Sequence, residues 1–320
     1  MDIALDPNSY LSNRTKEENF ENEPLVSILV PTYNGREVIG DCLNSVLKIN
    51  YSDFRVVVID DCSRDDTISF IKENYPTVEV FKTRKKLGFA GTVNLGIRKT
   101  MGDIIVLLNM DTVVDKLWLK SLIDALISDK TVGLVGSKIF SADGKTLQHA
   151  GGLLRENGIS AHIGKGELDR GQYNDSKDVD YLCGASLAFR RDILNKIGFF
   201  DEGYKPLYYE DVDFAYRARS KGFKIRYVPG TVLFHKENVS TNGLSDRFYF
   251  FYHRSRLRFI FKHYSFSDLI TKFFTSEKKW FFNELPLKLR RVVFKTYIFS
   301  LFPLMGVILK SRLLKRGDCG

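Results

Sequence analysis

Apolar residues come in short runs along the first third of the chain, and a polar cluster cuts off each run. Residues 25–30, 54–59, 78–81 and 104–108 read as strands. The last of them, Ile-Ile-Val-Leu-Leu, is unbroken, as in a strand buried on both faces of a parallel sheet. Between the runs the spacing becomes helical. Val38, Ile39, Cys42, Leu43, Val46 and Leu47 mark one face of a helix over residues 36–49. Residues 67–74 form the next helix, and another opens at 87–91 and runs through Asn94 to Lys99. The order β-α-β-α-β-α-β predicts an α/β fold with a doubly wound, mostly parallel sheet.

Further on, residues 117–128 predict an amphipathic helix, 132–140 a strand and 142–145 a hairpin turn. Glycines crowd the stretch from Gln148 to Asp180, which predicts a hairpin followed by a mobile loop. Residues 181–191 read as a strand running into a helix start. A helix over 211–220 carries Val212, Ala215, Tyr216 and Arg219 on one face, with Gly222 as its C-cap. Residues 223–228 and 232–235 read as two late strands parted by Pro229-Gly230.

Ligands of open parallel sheets gather beyond the carboxyl ends of the strands, so the residues that stop each run are the candidates for chemistry. Pro31-Thr32-Tyr33-Asn34-Gly35 stops the first run, Asp60-Asp61-Cys62-Ser63 the second and Asn109-Met110-Asp111 the fourth. A Tyr33 ring can stack on a base, and an Asp61 carboxylate can accept the N–H of a pyrimidine. Asp111 stands where a diphosphate would lie. It is either a carboxylate that holds a divalent metal or an Asx-turn residue ahead of the next helix. No GxxxxGK[ST] motif is present, and Gly88…Gly91 has the wrong spacing for a dinucleotide fingerprint.

Composition adds a division of labour. The 320 residues are 44% hydrophobic, enough for one large α/β domain or two modest ones. The net charge of +9 is uneven: from Arg247 onward there are 16 Lys and Arg against 4 Asp and Glu, which leaves the rest slightly acidic. That balance argues against a general nucleic-acid binder and for contact between the tail and an anionic surface. Aromatic residues are interleaved with the basic ones. Residues 296–309 carry no charge, yet Pro303 and Gly306 break the run, which is too short for a secure membrane span. The mixture suits a bilayer interface, or else a helical subdomain packed on the body with its charges in solvent. Four cysteines without a CxxC pair read as reduced thiols of a cytoplasmic protein, and residues 1–23 as a flexible arm rather than a signal peptide. The expected division is 1–23, then 24–246 with a nucleotide half to about 115 and an acceptor half beyond it, then a helical basic region over 247–320.

The ordered blocks resemble those of the family 2 glycosyltransferases of the GT-A fold. They are Pro31–Gly35, Asp60–Ser63, Gly88-Phe89-Ala90-Gly91 with Asn94 and Gly96, Leu108–Asp111, Gly184-Ala185-Ser186 with Arg190-Arg191, Gly198–Glu202 and Glu210-Asp211. The resemblance implies an inverting enzyme that moves a sugar from a UDP- or dTDP-linked donor to a glycan or lipid-linked acceptor in surface polysaccharide synthesis. It implies that Pro31, Tyr33 and Asp61 hold the nucleoside. Asp111 becomes the metal carboxylate of a degenerate DxD that begins at Asn109, and His235 completes a site for Mg²⁺ or Mn²⁺. Asp211 becomes the general base, with Gly184, Glu210 and Asp213 on the acceptor side. Lys86 replaces the Asn of many relatives; it could reach a phosphate, but the plainer reading is a solvated surface charge. His149 and His162 stay outside the site. The Gly184–Glu202 blocks and the glycine-rich loop look most like rhamnosyltransferase-type members, while the basic, aromatic tail predicts a peripheral enzyme on the inner face of the membrane. Two rivals differ in kind. A sugar nucleotidyltransferase wants a glycine- and basic-rich loop after the first strand, which Pro31–Gly35 does not supply. A glycan- or membrane-binding module would keep the fold without needing Asp111 or Asp211.

Overall fold

The computed structural model describes residues 23–236 and 245–300. The expected arm, except for its last residue, and the end of the uncharged run at 301–309 lie outside the described residues.

Strands β1 (Val26–Thr32), β2 (Phe54–Asp60), β3 (Glu79–Lys82) and β4 (Ile104–Leu108) are parallel and lie in the order β3-β2-β1-β4. Helices α1 (Ile39–Val46), α2 (Thr67–Asn74) and α3 (Gly88–Lys99) make the crossovers. The chain steps outward from β1 to β3 and then returns to set β4 on the other side of β1. A crevice therefore opens between the carboxyl ends of β1 and β4, the usual seat of a ligand in such sheets. The apolar runs are buried on both faces as their sequence demands. On one face Leu29, Ile59 and Leu107 pack against Val93 and Ile97 of α3. On the other, Ile28, Val30 and Val106 pack against Leu43 of α1 and against Trp118 and Leu122 of α4 (Trp118–Ile127).

The remaining strands are β5 (Thr112–Val114), β6 (Val132–Ser141), β7 (Leu147–His149), β8 (Gly152–Leu154), β9 (Ser160–His162), β10 (Lys177–Asp178), β11 (Ser186–Arg190) and β12 (Lys224–His235). β11 runs antiparallel between β4 and β6, and β12 lies parallel to β6. The two late strands of the sequence are thus one long strand, with a register shift between Val228 and Val232 where Pro229-Gly230 bulges out. The region expected as a mobile loop is built in: β7 pairs with β6, β8 and β9 form a hairpin, and Ala150 and Val179 enter the core. Glycine-rich sequence here serves tight turns rather than mobility.

Helix α5 (Glu210–Ser220) packs Val212, Phe214, Ala215 and Ala218 into the same core as α3. Helix α6 (Asp246–His263) adds Leu257, Phe259 and Ile260 to it. Not all of the tail's charge faces solvent. Arg256 is fully buried and holds Glu277 through two hydrogen bonds of 2.7 and 2.6 Å. Arg258 and Lys262 reach Asp201 at 3.1 and 2.8 Å. Residues 266–284 and 287–300 continue as helices. Among the described residues no helix is long and apolar enough to cross a membrane.

Candidate active site

The turns after β1 and β2 are stitched into one loop cradle. The Asn34 N–H donates to Ser63 Oγ at 2.8 Å, Arg64 N–H donates to Asn34 Oδ1 at 2.9 Å, and Gly35 N–H donates to Thr67 Oγ1 at 3.0 Å. Asn34 takes a positive φ of 50°, which asparagine tolerates better than most residues. Asp61 anchors the start of α3. Its Oδ1 accepts from Leu87 N–H at 2.7 Å and from Thr83 Oγ1 at 3.2 Å, and its Oδ2 accepts from Gly88 N–H at 3.0 Å. Gly88 sits at φ 76°, and a Cβ there would meet the Pro206 carbonyl oxygen at 2.9 Å. A carboxylate offers about four acceptor directions, so Asp61 can still take a further N–H donor. Pro31 lies in the β1 register opposite Ile59, one residue short of the cradle.

Tyr33 is half-buried, and the Lys86 ammonium sits 3.3 Å from the centre of its ring. Hydrogen bonding from Lys86 holds the Tyr33 phenol below its usual range. Lys86 is exposed but not idle. It covers one face of the Tyr33 ring beside the loop cradle, which corrects its reading as a merely solvated charge.

The second cluster forms where β5 pairs with β12, with Thr112 opposite His235. This register brings Asp111 Oδ1 to 3.2 Å from His235 Nε2, with Asn109 Nδ2 3.4 Å from the same nitrogen. Gln148 decides the tautomer. Its amide nitrogen donates to the His235 carbonyl at 2.9 Å, so its Oε1 is the atom that faces His235 Nδ1, also at 2.9 Å. Nδ1 therefore carries a proton, and a neutral ring turns its Nε2 lone pair toward the Asp111 carboxylate. Two acceptors this close call for positive charge between them, either a proton or a metal cation. Among the described residues no three His, Cys, Asp or Glu side chains gather into a metal-holding group. Asp111 and His235 offer two ligands, which fits a cation that shares its remaining positions between phosphate oxygens and water. Cys42 lies beneath, where burial pushes its thiol up to about 12 and keeps it out of such chemistry.

The third cluster surrounds Asp211, the second residue of α5. Its Oδ2 accepts from Gly184 N–H at 3.0 Å and its Oδ1 from Val212 N–H at 2.8 Å. Two successive tyrosines ahead of it, Tyr208 and Tyr209, hold positive φ values of 80° and 72°, a strained approach to the helix. Burial pushes the Asp211 carboxyl above its ordinary range and makes it a stronger base. Gly184 is tightly framed: a Cβ there would lie 3.3 Å from the Phe89 ring. The next residue, Ala185, accepts the Asn109 N–H at 3.1 Å. Two adjacent residues thus tie the Asp211 carboxylate to the loop that carries Asp111. The sequence held no sign of either Gln148 or this link.

Glu210 and Asp213, expected on the acceptor side, both lie inside the fold. Glu210 is buried, and its Oε2 lacks a hydrogen-bond partner. Burial, and next the neighbouring Asp211, push its carboxyl well above the ordinary glutamate range, which favours the uncharged acid inside the fold. Asp213 is fully buried and accepts from Tyr204 Oη at 3.0 Å, Arg217 Nε at 2.7 Å, Lys262 Nζ at 2.7 Å and His263 Nε2 at 2.7 Å. It docks α6 against α5. His149 and His162 form a buried pair, with Nδ1 atoms 2.8 Å apart. Burial lowers both, His162 to about 4, which suits structural imidazoles outside the site.

The family model for Glycosyl transferase family 2 matches residues 27–198. The chondroitin synthase of Pasteurella multocida (strain Pm70) is 27% identical over 250 residues, which cover 69% of this chain and 26% of that protein. The chain spans a quarter to a half of the length of the curated relatives it matches. Among solved structures, GalNAc-T7 with UDP, GalNAc and Mn²⁺ is similar, with a TM-score of 0.62 at 17% identity over 87% of this chain and 55% of that one. S. aureus TarS 1–349 in complex with UDP-GlcNAc is similar with a TM-score of 0.57 at 18% identity, over 85% of this chain and 79% of that one. At these identities the likeness is one of fold.

Proposed function

The chain belongs to glycosyl transferase family 2 and has the GT-A fold, and on that premise we propose that it is an inverting enzyme that builds a surface polysaccharide. The donor is a UDP- or dTDP-linked sugar, and the acceptor is a hydroxyl of a growing glycan, free or lipid-linked, met at the cytoplasmic face of the membrane. The observation that carries this reading is the Gly184-Ala185 link, which sets a rigid, half-buried carboxylate beside the Asp111–His235 pair.

The nucleoside end belongs to Pro31, Tyr33 and Asp61, with Lys86 within reach of the same ring. Asp111 and His235 would hold a divalent cation, Mg²⁺ or Mn²⁺, whose chemistry is to neutralise the leaving diphosphate. The Mn²⁺ in the GalNAc-T7 structure supports that choice. Asp211 takes the proton of the acceptor hydroxyl as its oxygen bonds to the anomeric carbon. The bond to the diphosphate breaks on the opposite face, which inverts the centre. The UDP-GlcNAc bound by TarS supports a UDP-sugar donor, while the resemblance of the later blocks to rhamnosyltransferase-type members keeps a dTDP-linked rhamnosyl donor on the panel.

A thermal-shift screen of nucleoside diphosphates and nucleotide-sugars, with and without Mn²⁺, tests this. A pyrimidine diphosphate or its sugar is expected to raise the melting temperature, and to do so far more with the metal. No shift from any pyrimidine nucleotide would contradict the reading.

A further inference from the structure

We propose that the outer face of residues 266–299 docks on an anionic lipid bilayer, with lipid phosphates seated in a cationic groove at its edge. This deepens the reading of a membrane-associated acceptor by naming the surface that meets the membrane.

The groove, about 560 Å³, lies between the start of α6 and the helix over 287–300. Arg247, Lys288, Arg291 and Lys295 line it together with Phe250 and Phe299, and Asp246 is the one acid on its wall. Lys295 Nζ stands 5.7 Å from the Phe299 ring, and Arg247 the same distance from Phe251. The apolar signal is as concentrated as the charge. Among the described residues, Phe266, Ile270, Phe274, Phe282, Leu287, Phe294, Ile298 and Phe299 all stand more than half exposed, and only four other large apolar side chains do. An ordinary soluble surface scatters such residues singly; their concentration in one segment, with exposed cations between them, suits a docking face.

Charge complementarity selects the occupant. Arg256, Arg258 and Lys262 are spent on internal carboxylates, whereas Lys278, Lys279, Lys288, Arg291 and Lys295 are exposed beside the aromatic side chains. Aromatic and aliphatic tips that dip into an interface, with basic groups at the phosphate level, are the chemistry of an acidic lipid surface. The position also fits. Tyr208, three residues before Asp211, packs its ring 5.1 Å from Phe248, next to the groove's Arg247. A docked bilayer would therefore lie on the acceptor side of the site.

Flotation of the full chain with phosphatidylcholine vesicles containing about 30% phosphatidylglycerol, against pure phosphatidylcholine vesicles, tests this. Binding is expected to be far stronger to the anionic vesicles, with only the weak apolar part left on pure phosphatidylcholine. It should weaken but persist in high salt, because the electrostatic part is screened within about 10 Å at 0.1 M while the inserted apolar part is not. The triple variant Lys288→Glu, Arg291→Glu, Lys295→Glu should lose about tenfold or more of the low-salt binding. Phe294→Ser with Ile298→Ser should lose the salt-resistant remainder. Equal binding to both vesicle types, or none to the anionic ones at low salt, overturns the proposal without any variant. So does capture of soluble polyphosphate in place of vesicles, or a dimer that the Phe294/Ile298 variant dissociates. Nucleotide thermal shifts run in parallel separate the two readings. A chain that binds nucleotide but ignores vesicles sinks the docking face alone, and one that binds vesicles but no nucleotide sinks the transferase reading alone.

Discussion

Gln148 holds His235 by both its ring and its carbonyl, so the imidazole's direction depends on a side chain 87 residues away. Gln148→Ala should leave the ligands in place but free the ring. Support of this kind is typically worth 10–100-fold in metal affinity. Calorimetric titration of Mn²⁺ with a nucleoside diphosphate should show that loss, and Asp111→Ala should abolish the metal-dependent binding; affinities equal to wild type would remove both residues from the site. Glu210 and Asp213 lie one turn apart and depend on pH in opposite ways. Glu210 is raised by burial and Asp211, so the stability it permits is full at acid pH and falls as pH climbs from the ordinary glutamate range toward its raised folded value. Burial opposes the Asp213 charge, but His263, Lys262 and Arg217 overcome it and hold the carboxyl low. Its contribution is present above the ordinary aspartate range and is lost as pH falls through the lowered value. Glu210→Gln should raise the melting temperature at neutral pH, with the gain vanishing toward pH 4; Asp213→Asn should lower it at neutral pH, with the loss shrinking in acid. Parallel pH profiles for the two variants would refute these assignments. Asp111 stood out in the sequence because it ends an apolar run, whereas Asp211 and His235 entered as candidates through the family resemblance. The role of Asp213 was not legible, because Lys262 and His263 meet it only after the chain has folded.

At the scale of elements, the C-terminal half of α6 is fastened by two sets of acids: Asp213 and Asp201 take its last turns, and Glu277 takes Arg256. Breaking a buried pair leaves an uncompensated charge, which typically costs about 3–5 kcal/mol. Glu277→Ala should lower the unfolding free energy by that order in urea titrations, and a change near zero would mean that Arg256 escapes to solvent. The unbroken runs of β1, β2 and β4 and the turn at Gly144 follow directly from residue order. β5 does not, because three residues carry no usable period. Yet that short pairing with β12 is what brings Asp111 to His235. The hairpin of β8 and β9 was legible only as glycine density, which signals tight turns and open loops alike.

Over the whole molecule, the sequence conveys a parallel first half and a basic tail but not how the tail is used. Several of its charges turn inward and hold the helices on the body, while the exposed remainder gathers beside aromatic side chains. The order of strands places β1 beside β4 and opens the crevice at the residues the apolar runs end on. Residues 184 and 185 then tie the Asp211 carboxylate to the loop that carries Asp111. That joint action is the central claim, and release of nucleoside diphosphate from a UDP- or dTDP-sugar with Mn²⁺, compared between wild type and Asp211→Asn, tests it most directly. The amide is nearly isosteric but cannot take a proton at neutral pH, so release should slow by about 10²–10⁴-fold while donor affinity stays the same. Release at the wild-type rate with unchanged affinity would contradict the account.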